Sequence, residues 1–220
     1  MKFLEQTLRW IVISAIFALP IVPFIVGNSL FFPYITGKSF TFRVIVEIMA
    51  GAWLALALVV PQYRPRRSWI LASFALFVFI MAIADAQGAY PFKSFWSNYE
   101  RMDGWITIAH TFAFLLVATC VLNTENLWRR LLQWSLVTSV FGSVLGLLQV
   151  AGILTLGSGG EGLAGRVDAT FGNPIYFAAY MLFHVFIAAL LCYQMWVVRG
   201  TGHRTALSIF YVAVIGLDTL

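Results

Sequence analysis

Residues 165–176 read G-R-V-D-A-T-F-G-N-P-I-Y, a short polar stretch between two long apolar ones, with Arg166 as its only cation. A guanidinium suits anion capture: its planar fork takes two phosphate oxygens at once and it does not deprotonate. Asn173-Pro174 is helix-start chemistry, Asn as the cap and Pro in the first turn. The N–H groups of such a start also attract phosphate. Arg166 and Asn173 are therefore candidate substrate-binding residues. A plainer reading stands beside this one: a re-entrant turn in which Arg166 pairs with Asp168 and Asn173 only caps the next helix. Gly157-Ser158-Gly159-Gly160 just upstream adds backbone freedom.

The second polar stretch, residues 88–104, reads G-A-Y-P-F-K-S-F-W-S-N-Y-E-R-M-D-G. Tyr90, Phe92, Phe95, Trp96 and Tyr99 suit a membrane interface by themselves. Lys93, Glu100, Arg101 and Asp103 are interleaved with them, and a belt alone does not require that. Aromatic faces stack on sugar rings while charged groups bond hydroxyls or phosphates, so a glycolipid-facing loop accounts for both features. Lys93, Glu100 and Arg101 join the candidate site on this ground. His110 and His184 stand inside apolar stretches, roughly 8–10 Å below the nearer surface, where ionisable groups are functional candidates. Hydrogen-bonded packing is the simpler role for both. Glu47 and Asp85 stand close enough to helix ends to reach the interface.

The elements that must position these residues are membrane helices. The chain of 220 residues is 61% hydrophobic and 10% charged, with a mean hydropathy of +0.87. A hydrocarbon core of about 30 Å needs roughly 20 apolar residues per helix. Such spans are expected at 8–26, 42–60, 69–87, 105–122, 131–154, 177–198 and 205–220. Unbroken apolar runs exclude the alternation of an outer-membrane barrel. The expectation is an all-α, polytopic membrane protein, with 1–220 forming a single transmembrane domain. Lys2 and Arg9 before the first span resemble a signal peptide, but no small-residue cleavage site follows, so an uncleaved anchor is expected.

With a cytoplasmic N-terminus, the inner side carries Lys2, Arg9, Arg64, Arg66, Arg67, Arg129, Arg130, Arg199 and Arg204. The outer side carries Lys38, Arg43, Lys93, Arg101 and Arg166. This split of nine to five favours that orientation. Most acidic residues then fall outside or near outer helix ends, Asp218 among them. The net charge of +5 is topology signal, not a nucleic-acid surface; Arg64-Pro65-Arg66-Arg67 suits anionic lipid at the cytoplasmic leaflet. Cys120 and Cys192 are too few for a disulfide framework, lack metal-site spacing, and read as small buried or lipid-facing residues.

Three segments carry a resemblance: F-F-P-Y-I-T-G-K-S-F-T-F-R (31–43), Y-P-F-K-S-F-W-S-N-Y-E-R-M-D-G (90–104) and R-V-D-A-T-F-G-N-P-I-Y-F-A-A-Y (166–180). Together they are similar to the N-terminal half of O-antigen ligase family proteins. That family comprises O-antigen ligases, O-antigen polymerases and bacterial protein O-oligosaccharyltransferases. The resemblance implies a bacterial inner-membrane glycosyltransferase of GT-C-like architecture, without cofactor or metal. It would pass a glycan from an undecaprenyl-diphosphate carrier to a lipid, glycan or protein acceptor on the outer face. It also implies that Arg166 corresponds to a diphosphate-holding arginine. The family's late periplasmic loop, with its histidine and second arginine, has no counterpart here. The last apolar stretch stops after about 24 Å, so the chain is expected to be the N-terminal part of a longer protein, and to need the remainder for activity.

A transporter or permease, for bicarbonate or polysaccharide, is the rival from another class. It calls for polar residues near the bilayer midplane, whereas the mid-span positions here read as nearly all apolar. A purely structural membrane subunit is the third reading.

Overall fold

The computed structural model describes residues 2–155, 166–198 and 204–218. Among these there are helices, turns and no strand. Five helical stretches are long and apolar enough to cross a membrane: Lys2–Phe24, Thr36–Val59, Trp69–Gln87, Glu125–Val150 and Pro174–Met195. Two shorter apolar helices, Trp105–Val121 and Ser208–Asp218, complete the set. The chain is thus a polytopic helical membrane protein; against seven expected spans, the described residues hold five helices of spanning length and two shorter apolar ones. It divides into two compact units, Met1–Glu125 and Asn126–Leu220.

In the first unit, α1 (Lys2–Ala18) runs on as a 3-10 stretch, Leu19–Phe24. Pro20 and Pro23 cause the change, because neither can donate the N–H that an α-helical turn requires. Next come α2 (Thr36–Val59), α3 (Trp69–Gln87), α4 (Pro91–Trp96) and α5 (Trp105–Val121). Helix α2 packs on both α1 and α5, and α3 packs on α4 and α5. Their shared core is aliphatic: Val12, Ile16, Val46, Met49, Leu56, Val117 and Val121 are buried.

Hydrogen bonds fix which ends of these helices lie together. At one end Gln62 donates to Glu5 at 3.2 Å, and Arg64 donates to the carbonyl of Ala57 at 3.0 Å. At the other, the Phe31 N–H donates to Glu100 at 2.8 Å, and Arg43 bonds Thr107 at 3.0 Å. Lys2, Arg9 and Arg64 therefore share one end, and Lys38, Arg43, Lys93 and Arg101 the other.

The second unit holds α6 (Glu125–Val150), α7 (Pro174–Val198) and α8 (Arg204–Asp218). Leu136 of α6, Ala188 and Leu191 of α7, and Tyr211 and Val214 of α8 form its core. Pairing of Ser135 with His184 and of Thr138 with Tyr180 makes α7 antiparallel to α6. Pairing of Gln133 with Tyr211 and of Ser143 with Asp218 makes α8 parallel to it.

Helices α1 and α6 start at Lys2 and Glu125, ahead of the apolar runs expected from 8 and 131. Their polar first turns, with Glu5 and Glu125 near the positive end of the helix dipole, are good helix formers outside the hydrocarbon. Helix α4 lies within 88–104, where Pro91 supplies the first-turn proline.

Candidate functional site

The polar loop before α7 is fixed by one side chain. Gln149, in the last turn of α6, donates from Nε2 to Asp168 Oδ1 at 2.9 Å. Its Oε1 accepts from the N–H of Ala169 at 2.8 Å and from that of Asp168 at 3.3 Å. An amide satisfies an acceptor and two donors together, so it holds Ala169 in a left-handed conformation, φ 45°, that a non-glycine residue seldom adopts. Asp168, Ala169 and Thr170 are all buried. Phe171 anchors the next step of the loop, its ring centroid 4.9 Å from Tyr180 and 5.4 Å from Phe177. Gly146 makes room for this packing: a Cβ there would stand 3.1 Å from the Phe177 ring and 3.3 Å from Val167.

Asn173 caps α7, as expected. Its Oδ1 accepts from the Ile175 N–H at 2.9 Å, and Pro174 opens the helix. Arg166 is exposed, and its guanidinium makes no hydrogen bond or ion pair among the described residues. The turn in which Arg166 pairs with Asp168 is not what forms; the Gln149 amide takes Asp168 Oδ1 instead. The run 157–160, Glu161, Gly165 and Arg199 lie outside the described residues.

Lys93, Glu100 and Arg101 belong to the first unit. Lys93 is exposed on α4, and Arg101 is half-buried in the turn after it. Glu100, at φ 61°, spends one carboxylate oxygen on the Phe31 N–H, so it ties two loops together. Arg43 holds the same loop from below. It is buried, bonds the Met102 carbonyl and Thr107, and lies over the Phe40 ring with its carbon 5.7 Å from the centroid. Trp105 stacks on Phe95 at 5.0 Å and donates to the Val78 carbonyl at 2.9 Å. Phe95, Trp96 and Glu100 are thus engaged in building the loop. Lys93, Tyr90, Phe92 and Tyr99 remain turned outward.

Both histidines are hydrogen-bonded. His110 Nδ1 contacts the Ile106 carbonyl at 2.7 Å, and its Nε2 meets Glu47 at 3.2 Å. His184 Nδ1 contacts the Tyr180 carbonyl at 2.7 Å, and its Nε2 meets Ser135 at 2.8 Å.

One feature contradicts the expectation of apolar mid-spans. Gln133, Ser135, Thr138, Ser139, Ser143 and Gln149 form a polar face along α6, over about 24 Å of helix. Each is met by a polar group: Tyr211, His184, Tyr180, Asp218 (twice) and Asp168 in turn. Asp218, the last residue of α8, is buried and bonds both Ser139 and Ser143 of α6. Averaged hydropathy hides such a face, but the small-residue spacing Ser135, Ser139, Ser143 and Gly142, Gly146 signals a helix made to be approached closely.

No protein-family model matches the chain, and no curated protein or solved structure does either.

Proposed function

We propose that the chain takes part in glycan transfer from an undecaprenyl-diphosphate-linked donor to a lipid, glycan or protein acceptor at the outer face of a bacterial inner membrane. It does so as the N-terminal portion of an O-antigen ligase-like glycosyltransferase, with its own N-terminus cytoplasmic. The observation that carries this reading is the Arg166 guanidinium, exposed and uncommitted among the described residues, two residues before the turn that Gln149 clamps. A charged fork on a rigid loop loses little entropy when it engages a diphosphate. As the bond from the sugar to the diphosphate breaks, its electron pair passes to a phosphate oxygen. The acceptor oxygen takes the sugar and gives up its proton to water at the outer surface. A guanidinium beside the leaving group stabilises the charge that develops. On the first unit, the outward-facing Lys93, Tyr90, Phe92 and Tyr99 offer a cation and aromatic faces of their own to phosphate or sugar groups.

Replacing Arg166 with Ala in the full-length protein tests this. Transfer should fall by at least about 100-fold, with membrane insertion unchanged. Transfer at the wild-type rate would remove Arg166 from the site.

The polar face of α6 favours a second reading, a transporter, because it lines much of one span with hydrogen-bonding groups. Liposomes bearing the protein should show no flux of bicarbonate or polysaccharide on the first reading and measurable flux on the second.

A further inference from the structure

Asp218 is buried between helices of the second unit. Its two oxygens meet hydroxyls one helical turn apart: Ser143 Oγ at 2.6 Å from Oδ1, and Ser139 Oγ at 2.9 Å from Oδ2. No lysine or arginine bonds it among the described residues. A bare carboxylate in hydrocarbon is costly, and two neutral hydroxyls do not cancel its charge.

Each serine also has a second acceptor. Ser139 Oγ is 3.0 Å from the Leu136 carbonyl, and Ser143 Oγ is 3.4 Å from Met181 Sδ. A hydroxyl has one hydrogen, so it serves the carboxylate or the alternative acceptor, not both. When both hydrogens swing away, two carboxylate oxygens and two hydroxyl oxygens are left as neighbouring acceptors with no donor between them. That is a hard-oxygen half-cage, suited to a small cation. A cavity of about 90 Å³ adjoins it, lined in part by Asp218, Ser143, Gly146, Val167, Phe177 and Met181. One water needs roughly 10–15 Å³ of such space, so there is room for the water ligands a half-cage lacks.

We propose that Asp218, Ser139 and Ser143 form an intramembrane site for a small monovalent cation, a proton or Na⁺, which neutralises the carboxylate and exchanges through the adjoining cavity. The inference stands apart from the glycan-transfer reading, since it uses none of the residues of the Arg166 loop as ligands. The titratable groups around the site are Tyr180 and His184 on α7, Tyr211 on α8 and, on the loop beyond α6, Asp168. Helix α6 contributes hydroxyls and amides but no titratable group to this face. Tyr180, His184 and Asp168 have their own partners in Thr138, Ser135 and Gln149.

Dicyclohexylcarbodiimide, which attacks protonated carboxyl groups buried in membranes, reads the occupant directly. The protein in liposomes should acquire an adduct at Asp218, mapped by mass spectrometry, at a rate that falls from mildly acidic to mildly alkaline conditions. Protection of at least about threefold by NaCl over choline chloride identifies Na⁺ as the occupant. Dependence on pH without Na⁺ protection identifies the proton. The double variant Ser139→Ala with Ser143→Ala keeps the carboxyl and should still be labelled, but with its Na⁺ protection or its pH dependence displaced; Asp218→Asn should carry no adduct at position 218. Absence of any adduct at Asp218, or labelling indifferent to both pH and Na⁺, would overturn the site.

Discussion

Gly104 has a fold-bearing role that residue type alone does not announce. It precedes α5, and a Cβ there would stand 2.5 Å from the carbonyl oxygens of both Ser94 and Phe95. These are backbone atoms of α4, so they cannot step aside as a side chain would. Gly104→Ala should destabilise the protein by about 1–3 kcal/mol, seen as a lower unfolding temperature in detergent; an unchanged temperature would mean that α4 is free to shift. Charges show the same gap between type and role. Arg43 counted only as one positive residue on one side, yet it is buried and pins the loop through Met102 and Thr107. Glu100 read as a group for sugar hydroxyls, but its carboxylate accepts from the Phe31 N–H. Arg166, like Lys93, is exposed and keeps its charge unspent among the described residues.

At the scale of elements, helix positions were legible because lipid demands long apolar runs with their backbone bonds satisfied internally. Helix α3 occupies Trp69–Gln87, the range read from its apolar run, with Ser68 as its cap. Helix α4 was missed because six residues are too short for periodicity to register. The partners of the α6 polar face were hidden for another reason: they come from residues up to 79 positions away, and sequence spacing says nothing of contacts at that range. A weak signal existed, since Glu125–Val150 has the lowest hydropathy of the five spanning stretches, 1.7. The amide clamp between α6 and the loop is the element-scale device on which the candidate site depends. Gln149→Leu removes hydrogen bonds to Asp168 and Ala169 inside a buried turn. The cost should be on the order of 2–3 kcal/mol, with glycan transfer falling as Arg166 loses its fixed position. A variant as stable and as active as the wild type would show that the loop is held by other contacts.

For the whole molecule, the helical membrane class followed from composition, while sidedness remains a matter of where basic residues collect. Within the first unit, Arg64 shares an end with Lys2 and Arg9, and Lys93 shares the opposite end with Arg43 and Arg101. The orientation proposed under the positive-inside rule puts the first of these ends in the cytoplasm. With Cys120 and Cys192 replaced by Ser, a membrane-impermeant maleimide should label Lys93→Cys and Arg166→Cys in intact spheroplasts, and Arg66→Cys only after permeabilisation. The reverse pattern would put the proposed site on the wrong side for an outward-facing donor. Capture of a pyrophosphoryl lipid by Arg166 is measured most directly by native mass spectrometry of the protein in nanodiscs, offered polyprenyl diphosphate and polyprenyl monophosphate together. Wild-type protein should retain the diphosphate by about tenfold over the monophosphate, and Arg166→Ala should lose that preference. Equal retention of the diphosphate lipid by wild type and variant would contradict it.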